Sequence, residues 1–223
     1  MTDIQTRLTE TLAGLPEQVK LVAVSKFHPA EAIKEAYDAG QRDFGESRVQ
    51  ELVAKYEALP QDIKWHFIGH LQLNKVKYIA PFVYLIHAVD SLRLLTEINK
   101  QARRCDRVLP CLLQLHVARE ETKFGFTADE LHDMLAQGEW RDLNNVKIMG
   151  IMCMASNTDD RERVRADFHA AYTFYKQAKA EFFANEPAFG LRSWGMSHDY
   201  HLAIEEGSTM VRIGTHIFGE RQY

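Results

Sequence analysis

The sequence of residues 20–28, KLVAVSKFH, predicts a buried strand that ends at a lysine. Apolar residues follow one another here without polar alternation, as parallel strands with both faces buried require. Pro29 comes next and opens a stretch with helical spacing that ends at Gly40. This order of proline and glycine is typical of helix ends. The stretch therefore predicts a strand followed by a helix, with Lys26 at the exit of the strand.

Further short runs rich in β-forming residues recur along the chain. Together with the first, the predicted strands are 20–25, 42–45, 64–68, 84–88, 109–117, 146–151, 191–194 and 209–213. Stretches with helical spacing lie between them, among them 47–59, 91–104 and 159–185. Strands that alternate with helices in this number favour a closed (β/α)8 barrel over an open doubly wound sheet. We expect one barrel domain over residues 1–223, because no repeat or linker interrupts the chain.

The composition is that of an ordinary globular protein, with 46% hydrophobic residues, 26% charged residues and a net charge of −4. Binding to nucleic acid or to an anionic membrane usually needs a basic excess, so we expect neither partner. The sequence has no long apolar run, and its start, MTDIQTRLTE, is too polar for a secretory signal. Its 3 cysteines form no CxxC pair, which favours a reducing compartment over a disulfide framework. We therefore expect a cytoplasmic protein.

Lys26 is the first candidate functional residue. The binding sites of (β/α)8 barrels lie at the C-terminal ends of the strands, where this lysine is predicted to stand. An amine that burial keeps neutral is a nucleophile that can attack a carbonyl group. The alternative is a lysine whose charged end extends outward into water. Position alone leaves both interpretations open.

The loops after strands seven and eight form the usual phosphate site of such barrels. Strand seven is followed by WGMSHDYHLAIEEG, where Gly195 permits close backbone approach and Ser197 is predicted to cap a helix that begins near His198. Strand eight is followed by RIGTHIFG, which offers the Gly214 N–H and the Thr215 hydroxyl. Both loops thus offer candidate hydrogen-bond donors to an anion. The alternative is that Ser197 only caps a helix and Gly214 only forms a turn.

Arg212 is the one charged residue in the predicted strand TMVRI. A buried guanidinium needs a partner. One interpretation is a structural salt bridge with Glu46 or Asp199, and the other is contact with a ligand at the barrel mouth.

A lysine nucleophile, an anion site and an internal arginine together indicate a phosphorylated aldehyde bound as a Schiff base. Pyridoxal 5′-phosphate (PLP) is the leading candidate, because a lysine Schiff base and a phosphate anchor are its two usual attachments. A phosphosugar aldolase would use similar parts, and the residues alone do not separate the two. Methionines near the exit of strand six fill the barrel, and we expect Met152 to contact the ring.

Two other chemistries are less favoured by the sequence. His66 and His70 have an H-x3-H spacing, but WHFIG is strand-like and the chain has no HExxH motif, so packing is the better interpretation than a metal site. The residues around Ser197 lack the second glycine of a nucleophile elbow, which argues against a serine hydrolase.

The motifs along the chain resemble those of the pyridoxal phosphate homeostasis protein family, also known as the proline synthetase co-transcribed homologue family. The matching stretches are VAVSK (22–26), FGESRVQE (44–51), WHFIGHLQLNK (65–75), VDS (89–91), EETKFG (120–125), GIMCMA (150–155), WGMSHDYHLAI (194–204) and GSTMVRIGTHIFGER (207–221). They cover nearly the whole chain in order. The resemblance implies a barrel like the N-terminal domain of alanine racemase, which is fold type III among PLP proteins.

The resemblance also implies roles for particular residues. Lys26 matches the lysine that forms the Schiff base with PLP, and Ser197, Gly214 and Thr215 match the phosphate cup. Arg212 matches the arginine that faces the pyridine nitrogen. Because arginine does not give up its proton, it keeps that nitrogen unprotonated and makes the ring a weaker electron sink.

Ser47 is a further expected cofactor contact. The family usually has asparagine at this position, so the resemblance implies a contact through a shorter side chain or through water. No metal ligand is implied.

The resemblance leaves two functions to separate. Racemases of fold type III carry a second domain whose tyrosine acts as a second acid/base, whereas this sequence ends at Tyr223 just after the last strand. We therefore expect a PLP-binding carrier that buffers the cofactor and delivers it to PLP-dependent apoenzymes, without turnover of its own. The alternative is a PLP-dependent amino-acid racemase of the alanine racemase type. We expect a monomer, with a dimer as the other possibility.

Overall fold

Eight parallel strands form the centre of the molecule in a computed structural model that describes residues 1–118 and 124–220. The strands are β1 (Lys20–Val24), β2 (Asp43–Glu46), β3 (Lys64–Phe67), β4 (Leu85–Val89), β5 (Leu109–His116), β6 (Val146–Met154), β7 (Leu191–Met196) and β8 (Met210–Ile213). Each pairs with its neighbours in chain order, and β1 pairs with β8. The predicted closed (β/α)8 barrel is confirmed.

Helices surround the barrel, and all but the first and the last lie in the connections between successive strands. They are α1 (Asp3–Ala13), α2 (Ala30–Asp38), α3 (Val49–Ala58), α4 (Val76–Ile79), α5 (Leu92–Arg104), α6 (Ala128–Gln137), α7 (Arg161–Phe182), α8 (Tyr200–Glu205) and α9 (Thr215–Phe218). The Ser91 side chain caps α5 by accepting from the Leu94 N–H, as predicted. Short 3₁₀ helices occupy Leu73–Lys75 and Glu139–Asp142.

The helix after β7 begins later than the sequence indicates. It starts at Tyr200 with Asp199 at the N-cap position, so the prediction that Ser197 caps a helix beginning near His198 is wrong. Serine and aspartate are both favoured at that position, and the sequence pattern did not decide between them.

The apolar residues form two separate clusters. The larger fills the space between strands and helices and includes Trp65 and Trp194, both fully buried. The smaller lies inside the barrel; its buried members are Val22, Leu85, Ala88, Leu112, Met152 and Met210. The barrel interior is therefore packed rather than open, as is usual for eight strands.

Other sequence-based expectations concern the cysteines and the membrane. Cys105, Cys111 and Cys153 form no disulfide with one another. Within residues 1–118 and 124–220, every helix is too short or too polar to span a bilayer. The motif residues 120–123 and the sequence from residue 221 onward lie outside the described residues.

Candidate functional site

A cavity of about 470 Å³ opens at the C-terminal end of the barrel. Six of the predicted site residues line it together: Lys26, Ser47, Ser197, Arg212, Gly214 and Thr215. These residues come from the ends of β1, β2, β7 and β8. The volume lies in the range of small-molecule sites, and the position is the one where barrels of this kind bind ligands.

Lys26 lies in a tight turn directly after β1. The His28 N–H donates to the Ser25 carbonyl at 3.1 Å, and the Phe27 N–H donates to Glu51 Oε1 at 2.7 Å. Phe27 has φ = 66°, a left-handed conformation that is unfavourable for a bulky residue. The turn is held in that conformation by its hydrogen bonds, and it places Lys26 against the cavity.

A buried ionic cluster supports this turn from beneath. Glu46 Oε1 accepts from the Ser25 hydroxyl at 2.6 Å and from Lys55 Nζ at 2.7 Å. The same ammonium also donates to the Ser25 carbonyl at 2.8 Å and to Glu51 Oε1 at 2.6 Å. Lys55 thus forms ion pairs with both Glu46 and Glu51. Burial, only partly offset by Lys55 and Ser25, raises the pKa of Glu46 to about 7.

Ser47 is brought to the cavity by the close approach of two loops. Gly69 follows β3, and a Cβ atom on it would lie 2.2 Å from the Ser47 carbonyl oxygen. Only glycine permits that contact. Both residues line the cavity.

The two predicted phosphate loops are joined by a hydrogen bond. The Gly214 N–H donates to Ser197 Oγ at 3.2 Å. Because the serine oxygen accepts this bond, its own proton remains available for an acceptor in the cavity. Thr215 is exposed and begins α9, whose first N–H groups have no carbonyl partner within the helix. The arrangement is suited to an anion.

The close approach predicted at Gly195 is made to a helix. With φ = 94°, a Cβ atom there would lie 2.6 Å from the Ala203 Cβ and 3.0 Å from the Tyr200 Cα. Gly195 therefore allows α8 to pack against the end of β7.

Arg212 is 4% exposed and forms neither of the two salt bridges considered from the sequence. Its Nη1 donates to the Ser193 carbonyl at 2.6 Å and to Ser193 Oγ at 2.7 Å, and its Nη2 donates to the Cys153 carbonyl at 3.0 Å. Glu46 is instead the partner of Lys55. Arg212 also lines the cavity, so its guanidinium is anchored on one side by the barrel wall.

Ser193 continues into a polar chain that the sequence did not reveal. His87 Nδ1 lies 2.9 Å from Ser193 Oγ, His66 Nδ1 lies 2.8 Å from His87 Nε2, and His66 Nε2 lies 2.9 Å from Asp43 Oδ1. Both imidazoles are fully buried. His66 is therefore a buried strand residue, as predicted, but the sequence did not indicate its hydrogen bonds to His87 and Asp43.

Met152 does not line the cavity. It is 1% exposed and packs in the cluster inside the barrel, whereas Met154 lines the cavity. Strand β6 extends to Met154, beyond the predicted end at residue 151, so the barrel mouth lies next to the later methionine.

A second feature missed from the sequence is the rim formed by His70 and Phe124. Their rings stack with centroids 3.9 Å apart, and His70 Nδ1 lies 2.9 Å from Asp90 Oδ2. Gln114 Nε2 donates to the Phe124 carbonyl at 2.8 Å.

Across residues 1–118 and 124–220, no group of three or more potential ligands could hold a metal ion.

A closed barrel with a lysine after β1, and with hydrogen-bond donors suited to an anion after β7 and β8, defines the class of protein. It is a barrel like the N-terminal domain of alanine racemase. The family model for the alanine racemase N-terminal domain matches residues 3–222. A pyridoxal phosphate homeostasis protein from Aquifex aeolicus (strain VF5) is 42% identical over 205 residues, which cover 92% of this chain and 88% of that protein. The chain belongs to the pyridoxal phosphate homeostasis protein family.

Solved structures agree with this assignment. PipY of Synechococcus elongatus PCC7942, determined without PLP, is 38% identical with a TM-score of 0.91, and the match covers 97% of this chain and all of that one. The same protein with PLP bound is 37% identical with a TM-score of 0.87 over 97% of this chain and 100% of that chain. The family resemblance predicted from the motifs is confirmed.

Proposed function

We propose that this protein binds PLP in the cavity at the barrel mouth, as a Schiff base on Lys26. One observation carries the proposal: Lys26 lines the same cavity as the candidate hydrogen-bond donors to the phosphate, which are Ser197, Gly214 and Thr215. An amine suits the aldehyde of PLP, and hydroxyl and N–H donors suit its phosphate. The names of its relatives and the PLP-bound structure of PipY support the same ligand.

Arg212 supports a binding function more than catalysis. Burial lowers the pKa of its guanidinium, but an arginine stays protonated in proteins and can only donate. A ring nitrogen that faces it therefore stays unprotonated. PLP with an unprotonated ring nitrogen withdraws electrons more weakly from a bound amino acid.

We infer on this basis that the protein holds and releases PLP as part of its homeostasis in the cytoplasm, supplying apoenzymes without turnover of its own. The names of the relatives describe homeostasis rather than a reaction. A racemase of the alanine racemase type is the second candidate, because that family's N-terminal domain model matches residues 3–222.

The decisive experiment is a PLP titration followed by absorbance, then borohydride reduction and mass spectrometry. We expect a yellow protein with a single reduced pyridoxyl label on Lys26, and no label in Lys26→Ala. Lys34→Ala is the matched control, since Lys34 is an exposed lysine on α2 and away from the cavity. A label on a different lysine would overturn the assignment.

A transfer assay tests the delivery function. Holo-protein is mixed with a PLP-dependent apoenzyme while a PLP scavenger removes free cofactor, and the regain of enzyme activity is followed. Regain that is faster with the holo-protein than with free PLP supports delivery. Regain that the scavenger abolishes would restrict the function to buffering.

A further inference from the structure

A line of hydrogen bonds crosses the barrel interior and ends at the candidate site. It begins at Asp43, the first residue of β2, and passes through His66 on β3, His87 on β4 and Ser193 on β7 to Arg212 on β8. Asp43 lies at the N-terminal end of the barrel, 3.6 Å from Lys20 Nζ, whereas Arg212 lines the cavity at the other end. The line therefore connects the closed end of the barrel to the mouth.

The two ends of this line fix the direction of every bond in it. A guanidinium can only donate, so Ser193 Oγ accepts from Arg212. An ionised carboxylate can only accept, so His66 donates to Asp43 from Nε2. A neutral His66 then accepts at Nδ1 from the Nε2–H of His87. His87 in turn accepts at Nδ1 from the Ser193 hydroxyl. All donors point from Arg212 toward Asp43.

The charge states that this direction needs agree with the surroundings. Burial lowers the pKa of His87 well below its ordinary value, and the charges of His66 and Arg212 lower it further. Burial also lowers the pKa of His66, although Asp43 opposes that shift and Lys20 and Lys64 add to it. Both imidazoles are therefore neutral near pH 7.

Asp43 remains charged for a different reason. Burial raises the pKa of its carboxyl, but the hydrogen bond and charge of His66 and the ammonium groups of Lys20 and Lys64 outweigh burial and hold it below its ordinary value.

Packing alone does not explain such a line. The interior of a barrel of this size is ordinarily filled by layers of apolar side chains, as the cluster around Leu85 and Met210 is here. Polar groups in that position destabilise the fold unless each is satisfied, and a satisfied network specifies one arrangement of its members. The network in this protein is satisfied from end to end, and its last member lines the cavity.

We propose that Asp43, His66, His87 and Ser193 are positioning residues that hold the Arg212 guanidinium in one orientation toward the ligand. The ordered bonds fix the Ser193 hydroxyl so that its lone pair faces Arg212. The guanidinium then keeps its three bonds to the barrel wall and presents its remaining edge to the cavity. The identity of the ligand rests on the proposed function, but the ordering of the protons does not.

The first test needs no ligand. In protein labelled with 15N-histidine, we expect His66 and His87 both to be neutral and protonated on Nε2, without change between about pH 6 and pH 8. The nitrogen chemical shifts distinguish the two tautomers. A proton on Nδ1 of either histidine, or a charged imidazole in this range, would overturn the proposed direction.

The second test uses a pair of substitutions at His87. An asparagine amide lies near the former Nδ1 position and keeps an acceptor for Ser193, whereas a glutamine amide lies near Nε2 and keeps only the contact with His66. We expect His87→Gln to weaken PLP binding about tenfold and to shift the absorbance maximum of the bound cofactor, since one ordered bond is worth about a factor of ten. His87→Asn should restore most of the affinity.

Leu85→Ala is the control for a purely structural effect. Leu85 is on the same strand as His87 and packs inside the barrel without taking part in the line of hydrogen bonds. Its truncation therefore leaves a cavity in the barrel interior near the position of His87. We expect it to bind PLP like the wild type. Equal losses of affinity in Leu85→Ala and His87→Gln would show that the line only supports packing.

A third measurement separates this proposal from the proposed function. In the protein without PLP, the two Nη groups of Arg212 should give separate 15N signals, because three hydrogen bonds restrict rotation of the guanidinium. In His87→Gln the two signals should broaden and move closer together, because the Ser193 hydroxyl is no longer oriented while the bonds to the two carbonyl groups remain. If the wild type binds no PLP, the proposed function fails, while these signals still decide whether the line orients Arg212. Merged signals in the wild type would defeat the positioning role.

Discussion

Ser197 and Gly214 are hydrogen-bonded to each other across the cavity mouth, with the Gly214 N–H donating to Ser197 Oγ at 3.2 Å. The bond joins the loop after β7 to the loop after β8. It also orients the serine hydroxyl, whose proton is then directed to another acceptor. In the proposed complex that acceptor is the phosphate of PLP.

The double substitution Ser197→Ala with Thr215→Ala should therefore weaken PLP binding by a factor of about 10² to 10⁴, since each of the two hydrogen bonds to a charged group contributes roughly 1.5–3 kcal/mol. The unfolding midpoint should change little, because Ser197 is only partly buried and Thr215 is exposed. Absorbance titration measures the affinity. Thr9→Ala, which removes an exposed hydroxyl on α1, is the control. Unchanged affinity in the double variant would place the phosphate elsewhere.

The racemase alternative makes its own prediction. Incubation of the PLP-loaded protein with L-alanine or D-alanine should give negligible interconversion, measured by chiral chromatography over hours. In the proposed complex the guanidinium of Arg212 faces the ring nitrogen, and a ring nitrogen that stays unprotonated would make PLP a weak electron sink. Sustained turnover that is lost in Lys26→Ala would favour the enzyme.

The barrel could be predicted from the sequence because its strands are buried on both faces. A run such as KLVAVS shows that burial directly, without knowledge of any partner strand. The cavity residues could be predicted because Lys26, Ser197 and Gly214 follow strand ends, and the ends of parallel strands meet at one face of a barrel.

The polar line could not be predicted in the same way. His66 and His87 are each single polar residues in separate strands, and either one alone fits a packed position. Their contact depends on which face of each strand points inward and on the stagger of β3 against β4, where His66 pairs with Leu85. A one-residue shift in register would separate them.

Met152 lies deeper in the barrel than the sequence pattern predicts, for a similar reason. The sequence indicates that strand six ends near residue 151, but pairing between β5 and β6 continues to Met154. That pairing carries a register shift between Cys111 and Leu112, which no local pattern announces. The methionine at the mouth is thus Met154 rather than Met152.

The cluster under Lys26 predicts a pH-dependent stability. The pKa of Glu46 is about 7 in the folded protein and near its ordinary value of 4.5 in the unfolded chain. Because the folded-state pKa is raised, the stabilising contribution of this group is fully present below pH 4.5 and is lost as pH rises through about 7. The free energy of unfolding of the wild type should fall across this window relative to Glu46→Gln, by about 2 kcal/mol.

Urea unfolding at pH 5 and pH 8 measures this difference. Glu57→Gln, at an exposed position on α3, is the control, and its difference in stability from the wild type should not change with pH in this way. A difference between the wild type and Glu46→Gln that stays constant with pH would mean that Glu46 remains ionised throughout, paired with Lys55.

Two glycines with similar positive φ angles allow steric contact to be separated from backbone strain. Gly40 has φ = 101° and a Cβ atom there would meet nothing within 4 Å, whereas at Gly195, with φ = 94°, it would lie 2.6 Å from the Ala203 Cβ. Gly40→Ala should therefore lose only about 1 kcal/mol, the effect of the left-handed conformation on an alanine. Gly195→Ala should lose about 3 kcal/mol, because α8 must also move away from β7.

The effect of Gly195→Ala should extend to the candidate PLP site. Met196 and Ser197 follow Gly195 directly and line the cavity, so a displaced α8 should move the Ser197 hydroxyl with it. We expect Gly195→Ala, but not Gly40→Ala, to weaken PLP binding under conditions where both variants are folded. Urea unfolding gives the stabilities and absorbance titration gives the affinities. Equal stabilities in the two variants would show that the packing of α8 against β7 is looser than the contact at Ala203 implies.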